Sequence, residues 1–106
     1  MENLHDRRKI YDKYELREAE MKGNPMEQFR DWLFDAEGSG LISEANAMAV
    51  STVESDGCAR TRMVLLKAYT YEGFIFYTNY RSRKGEALAR NPKACLHFFW
   101  PGLERQ

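Results

Sequence analysis

The apolar positions of this chain follow a helical period first and an alternating period afterwards. Phe29, Trp32, Leu33 and Ala36 stand at i, i+3, i+4 and i+7, one apolar stripe along a helix. Just upstream, Asn24-Pro25-Met26-Glu27 supplies an N-cap, a proline suited to the first turn and the glutamate of a capping box. Gly38 is a natural stop. The pattern predicts a helix over 25–37. After a Gly/Ser-containing loop, 47–53 reads as a strand and Glu54-Ser55-Asp56-Gly57 as a turn. A second, longer strand is expected over 58–69, and the Asp-Gly pair between two apolar runs predicts a hairpin. A turn at Tyr71-Glu72-Gly73 leads into Phe74-Ile75-Phe76-Tyr77-Thr78, an aromatic and β-branched run. These three strands are expected to form an antiparallel meander.

Ser82 then predicts the cap of a short helix that must end near Asn91-Pro92. A fourth strand is expected over 94–100. Pro101-Gly102 turns the chain, and Leu103-Glu104-Arg105-Gln106 reads as the start of a fifth strand. Residues 1–23 read as a charged leading extension with a few apolar side chains, Ile10, Tyr11, Tyr14 and Leu16, and 24–106 as the amino-terminal part of a domain. The expected class is α+β, mainly β with flanking helices. Open sheet edges must be closed, covered or paired, so the strands read as an incomplete antiparallel barrel.

Composition narrows the function. With 106 residues the chain makes one small domain, and 43% apolar with 30% charged residues is ordinary for a soluble globular protein. Sixteen basic residues balance sixteen acidic ones, so any anion site must be local. That balance counts against a nucleic-acid-binding barrel, despite Arg60, Arg62, Arg81, Arg83 and Lys84. The first twenty residues carry no apolar run, and no stretch reaches the length of a membrane span. A cytoplasmic protein with no membrane partner is expected. Cys58 and Cys95 lack CxxC spacing and are expected as reduced, buried thiols. His5 and His97 lie far apart, so no metal site is expected.

The most informative chemistry lies in Arg81-Ser82-Arg83-Lys84-Gly85. Free N–H groups at a helix start carry partial positive charge, and a hydroxyl, a guanidinium and an ammonium beside them suit a phosphate. The same residues also fit a solvated basic turn. In Arg60-Thr61-Arg62-Met63-Val64-Leu65-Leu66-Lys67, Arg62 and Lys67 bracket an apolar run about 16 Å long, near the reach from a phosphate to the far end of a flavin. Strict alternation would put the two on opposite faces, unless a twist or bulge intervenes. Tyr77 and Thr78 directly precede the basic turn and would line the same pocket. Trp32, Phe98, Phe99 and Trp100 are assigned to the core or a subunit interface. No Ser/His/Asp or Cys/His constellation and no phosphate-binding glycine loop is present. The absence of a catalytic side-chain set points to cofactor chemistry.

Taken in order, these segments resemble the pyridoxine 5′-phosphate oxidase family. The matching pieces are Asn46-Ala47-Met48, Arg62 to Lys67, Gly73-Phe74-Ile75-Phe76-Tyr77-Thr78-Asn79-Tyr80, Ser82-Arg83-Lys84-Gly85, Asn91-Pro92 and Leu103-Glu104-Arg105-Gln106. Arg7-Arg8-Lys9-Ile10-Tyr11 and the helix from Pro25 also fit, while Ala45 stands where a proline is usual. The resemblance implies an FMN-binding split barrel and a homodimer with FMN at the subunit interface. It also implies FMN-dependent oxidation of pyridoxamine or pyridoxine 5′-phosphate to pyridoxal 5′-phosphate, with O2 as acceptor. It places Arg62, Ser82, Arg83 and Lys84 at the FMN phosphate and runs Met63, Val64, Leu65, Leu66 and Lys67 along the flavin. Tyr77, Thr78 and Gln106 become further cofactor contacts, and Lys67, Arg8 and Tyr11 substrate contacts. Family members continue beyond the position of Gln106, so this chain is expected as a truncated member. The alternative expectation is a non-catalytic module that binds FMN or a B6 phosphate.

Overall fold

The computed structural model describes residues 1–12 and 14–106. Helix α1 spans Pro25–Gly38, with Asn24 Oδ1 accepting the Met26 N–H at 2.8 Å and proline in the first turn. The reciprocal arm of the cap does not come from Glu27, as the sequence pattern predicts. Glu27 instead accepts a hydrogen bond from the Tyr71 hydroxyl at 3.0 Å, and the Lys22 N–H goes to Gln28 Oε1 at 2.9 Å. The helix closes one residue late, where Ser39 Oγ donates to Ala36 O and Gly40 takes φ +70°.

Strand β1 (Ala47–Val53) pairs antiparallel with β2 (Ala59–Leu65) through the expected hairpin. Gly57, at φ +83°, makes the turn possible, and Asp56 Oδ1 accepts the Cys58 N–H at 2.9 Å. The long second strand of the sequence reading is two strands. Leu66 N–H still donates to Asn46 O at the end of the first ladder, and the chain then changes partner, with Lys67 N–H donating to Ile75 O. The Asn46 side-chain amide closes the break by donating to Leu66 O at 3.0 Å. Strand β3 (Ala68–Thr70) then pairs with β4 (Gly73–Ile75) in a separate two-stranded sheet.

Helix α2 (Arg83–Arg90) follows, then β5 (Ala94–His97), which returns to pair antiparallel with β1. The three-stranded order is therefore β2-β1-β5. The expected simple meander does not form, since the chain changes sheets at Leu66-Lys67 and β5 recruits the free side of β1. The ending is also different. Pro101–Leu103 is a 3-10 turn, Glu104 sits at φ 54°, and Arg105 bridges back to Trp100, in place of a fifth strand.

Alternation along β1 buries Met48, Val50 and Thr52 on one face. Met48 and Val50 pack with Leu66, Val64, Leu96, Phe74 and Phe76. A second cluster joins Leu33 and Ala36 of α1 to Ala45, Trp100 and Leu103. Phe29 belongs to both, with ring centroids 5.2 Å from Tyr69, 4.9 Å from Phe74 and 5.0 Å from Phe98. Trp100 is buried, with its indole N–H donating to Ala45 O at 3.0 Å, whereas Phe99 is 55% exposed. Cys58 and Cys95 are free thiols but exposed, not buried, because one lies in the hairpin turn and the other on the uncovered face of β5. The mixed α+β class holds, both sheets are antiparallel, and neither closes into a barrel among the described residues.

Candidate functional site

The start of α2 is built by the turn that precedes it. Asn79 organises that turn: its Oδ1 accepts the Arg81 N–H at 2.8 Å, and its carbonyl accepts the Ser82 N–H at 3.0 Å and the Ser82 hydroxyl at 2.7 Å. Ser82 Oγ in turn accepts the Gly85 N–H at 3.1 Å, the expected helix cap. Gly85 is buried, and a Cβ there would run into Asn79 O and Tyr80 Cα. Only glycine lets the turn lie this close against the helix.

Lys84 reaches back across this cap to donate to Thr78 Oγ1 at 2.6 Å, and Thr78 Oγ1 lies 3.3 Å from Ser82 Oγ. Lys84 is half-buried and makes no ion pair among the described residues. Its charge therefore rests on a neutral hydroxyl, which leaves it available to an anion. The Ser82 proton is already directed at Asn79 O, so Ser82 shapes the site more than it donates to a ligand. Arg83 is exposed beside them.

Arg62 is positioned by the sheet. It pairs with Val50, and Arg60 pairs with Thr52, so strand alternation puts both arginines on the face that carries the core. Arg60 Nε lies 3.2 Å from Glu54 Oε1, and Arg90 Nη2 of α2 lies 3.8 Å from Glu54 Oε2. Arg62 therefore belongs to the side of the sheet that faces α2.

The remaining expected site residues are dispersed. Met63 is 69% exposed on the opposite face, while Val64 and Leu66 insert their side chains into the core, and Leu65 is half-buried. Lys67 lines a separate cleft of about 520 Å³ with Asn46, Leu66, Tyr69 and Glu37. The break at Leu66-Lys67 removes the alternation conflict between Arg62 and Lys67, because the two no longer share a strand. Tyr77 is 75% exposed. Gln106 Oε1 lies 2.9 Å from His97 Nε2, at the mouth of an apolar cleft of about 380 Å³ between α1 and β5. Arg8 and Tyr11 are exposed in the leading segment. Asn46, Asn79 and Glu54 are the organising residues that motif reading passed over. Asn46 and Asn79 stood inside matching motifs without an assigned role.

The family model described as pyridoxamine 5′-phosphate oxidase matches residues 34–106. The chain belongs to the pyridoxamine 5′-phosphate oxidase family. It is 52% identical over its whole length to a pyridoxine/pyridoxamine 5′-phosphate oxidase of Flavobacterium psychrophilum and 49% identical to that of Thermosynechococcus vestitus, covering 50% of each. The chain thus spans about half the length of these curated relatives. Among solved structures, PhzG from Burkholderia lata, in complex with tetrahydrophenazine-1-carboxylic acid, matches with a TM-score of 0.73 and 28% identity over 77% of this chain and 40% of its own. A pyridoxamine 5′-phosphate oxidase-related, FMN-binding protein from Nostoc punctiforme shares the fold, with a TM-score of 0.63 at 17% identity over 77% of this chain and 42% of its own. The likeness bears out the expected incomplete split barrel for this oxidase-family chain.

Proposed function

We propose that this chain carries the FMN-phosphate site of a pyridoxine/pyridoxamine 5′-phosphate oxidase that works as a cytoplasmic homodimer. The observation that carries the reading is the Thr78–Ser82–Lys84 cluster folded over the amino terminus of α2. Its donor set fits a phosphate: an ammonium without a carboxylate partner among the described residues, a guanidinium at Arg83, a threonine hydroxyl and the first N–H groups of a helix. The missing Cβ at Gly85 keeps the turn close enough to hold Thr78 and Lys84 together.

Arg83 and Lys84 would hold the FMN phosphate, with Thr78 as a hydroxyl donor and Arg62 adding charge from the sheet. The segment from Met63 to Lys67, with Tyr77 and Gln106, would flank the rest of the cofactor. Lys67, Arg8 and Tyr11 would meet the substrate. Bound there, FMN supplies a two-electron acceptor that O2 can regenerate. The overall reaction converts pyridoxamine 5′-phosphate, water and O2 into pyridoxal 5′-phosphate, ammonia and hydrogen peroxide. The alcohol substrate gives the aldehyde and hydrogen peroxide. The protein's own part is to bind and orient, which agrees with the absence of a nucleophile constellation in the sequence.

Titration of FMN and riboflavin into the protein, followed by anaerobic addition of pyridoxamine 5′-phosphate, tests the reading. Tighter binding of FMN than of riboflavin, then bleaching of the flavin band, is the expected result. Binding without bleaching would reassign the chain to a non-catalytic FMN-binding module. Equal affinity for the two flavins would remove the phosphate site from α2.

A further inference from the structure

We infer that Glu54 is a positioning residue for the phosphate site: it clamps the far end of α2 and thereby sets where the Ser82 end points. This inference rests on the phosphate-site reading above. Glu54 lies at the end of β1, and its backbone is fixed by the hairpin, where its N–H donates to Cys58 O at 2.9 Å and its carbonyl accepts the Gly57 N–H at 3.0 Å. Its side chain is only 13% exposed. One carboxylate oxygen faces Arg60 Nε of β2 at 3.2 Å, and the other faces Arg90 Nη2 of α2 at 3.8 Å. Oε1 is closed off from solvent and lacks hydrogen-bond geometry with any described partner, so the neighbouring charges must compensate its burial.

That arrangement matters because it ties the last turn of α2 to the hairpin by charge. The helix has eight residues, about 12 Å of axis; it contacts β1, Ala87 is buried, and buried Gly85 lies against the Asn79-Tyr80 turn. Small residues give close approach but few atoms to resist sliding or rotation. The Glu54–Arg90 pair supplies the second fixed point, at the opposite end of the helix from Thr78, Ser82 and Lys84. It also draws two cations, Arg60 and Arg90, to one carboxylate away from the phosphate cluster, whose own cations are Arg62, Arg81, Arg83 and Lys84.

The test is the affinity ratio of FMN to riboflavin in wild type, Glu54→Gln and Arg90→Gln, with far-UV circular dichroism and melting on each. Glutamine keeps the shape of Glu54 and removes its charge, and Arg90→Gln cuts only the helix arm. If Glu54 positions the site, both variants lose FMN affinity, roughly tenfold for a displaced supporting partner, while riboflavin affinity holds. A fall in the affinity of both flavins in step with melting would reduce Glu54 to a purely structural residue and overturn the inference. So would unchanged FMN preference, or tighter FMN binding once Arg60 and Arg90 are unmasked. If Glu54→Gln does not fold, Arg90→Gln alone decides, because Arg90 is 55% exposed and its loss leaves Glu54 paired with Arg60. Wild type that fails to prefer FMN over riboflavin would instead sink the underlying phosphate-site reading.

Discussion

At the scale of single residues, the proposed phosphate site turns on one cation that a hydroxyl holds in place. Lys84 donates to Thr78 and makes no ion pair among the described residues, so under the proposal it exchanges that bond for a stronger one to phosphate. Lys84→Met is expected to weaken FMN binding about 10- to 100-fold, the worth of one charge-assisted hydrogen bond, and to leave riboflavin binding unchanged in the same titration. Tyr71 offers a test of a different kind. Its hydroxyl donates to Glu27, and that bond, reinforced by the carboxylate charge, raises its pKa above the ordinary tyrosine value. Because the folded value is the higher one, the contact is intact up to the ordinary tyrosine range and is lost only as pH rises through the Tyr71 value. Ultraviolet titration of Tyr71→Phe should therefore lack a late-ionising component that wild type shows. An unchanged titration curve would mean that the Tyr71–Glu27 bond does not persist in solution.

At the scale of elements, the close approach of turn and helix at Gly85 makes the strongest demand. Gly85→Ala places a methyl against backbone atoms of Asn79 and Tyr80, which cannot swing aside as a side chain can. A loss of about 1–3 kcal/mol in denaturant unfolding is expected, together with loss of FMN preference. Elements written in contiguous residues were legible in the sequence: the cap and stripe of α1, all of β1, the Asp56-Gly57 hairpin and the Ser82 cap. Elements decided by distant partners were not. The apolar run Val64-Leu65-Leu66 reads as one continuous strand, and the place where it ends is held by Asn46, twenty positions upstream, and by the pairing of Lys67 with Ile75. The Thr78–Ser82–Lys84 cluster could be foreseen because its members are neighbours in sequence, whereas Glu54, Arg60 and Arg90 meet only after the hairpin and α2 have come together. The exposure of Cys95 follows from the same kind of distant pairing, since its register with Ser51 puts it on the face opposite Val50 and Thr52, whereas Cys58 is exposed because it ends the hairpin turn.

At the scale of the whole molecule, two apolar clusters share three aromatic side chains, Phe29, Tyr69 and Phe98, and Phe29 is the one that α1 contributes. Phe29 brings α1 against Tyr69 and Phe74 of the second sheet and against Phe98 and Trp100 after β5. Phe29→Ala should cost about 3–5 kcal/mol of stability and flatten the near-ultraviolet circular dichroism, because it removes ring contacts from α1 to both sheets at once. The leading segment is attached elsewhere: the Arg105 guanidinium lies 5.3 Å from the Tyr14 ring and 4.9 Å from the Trp32 ring and pairs with Asp35 at 2.9 Å. β1 has a further consequence, which concerns the order of events during folding. Its pairing with β2 closes a short turn, but Thr52 finds Ala94 only forty-two positions later, after β3, β4 and α2 have been laid down. Closing that larger loop is the entropically slower event. The hairpin can assemble early, but β1 gains its second neighbour, and its amide protons their full protection from exchange, only when β5 arrives.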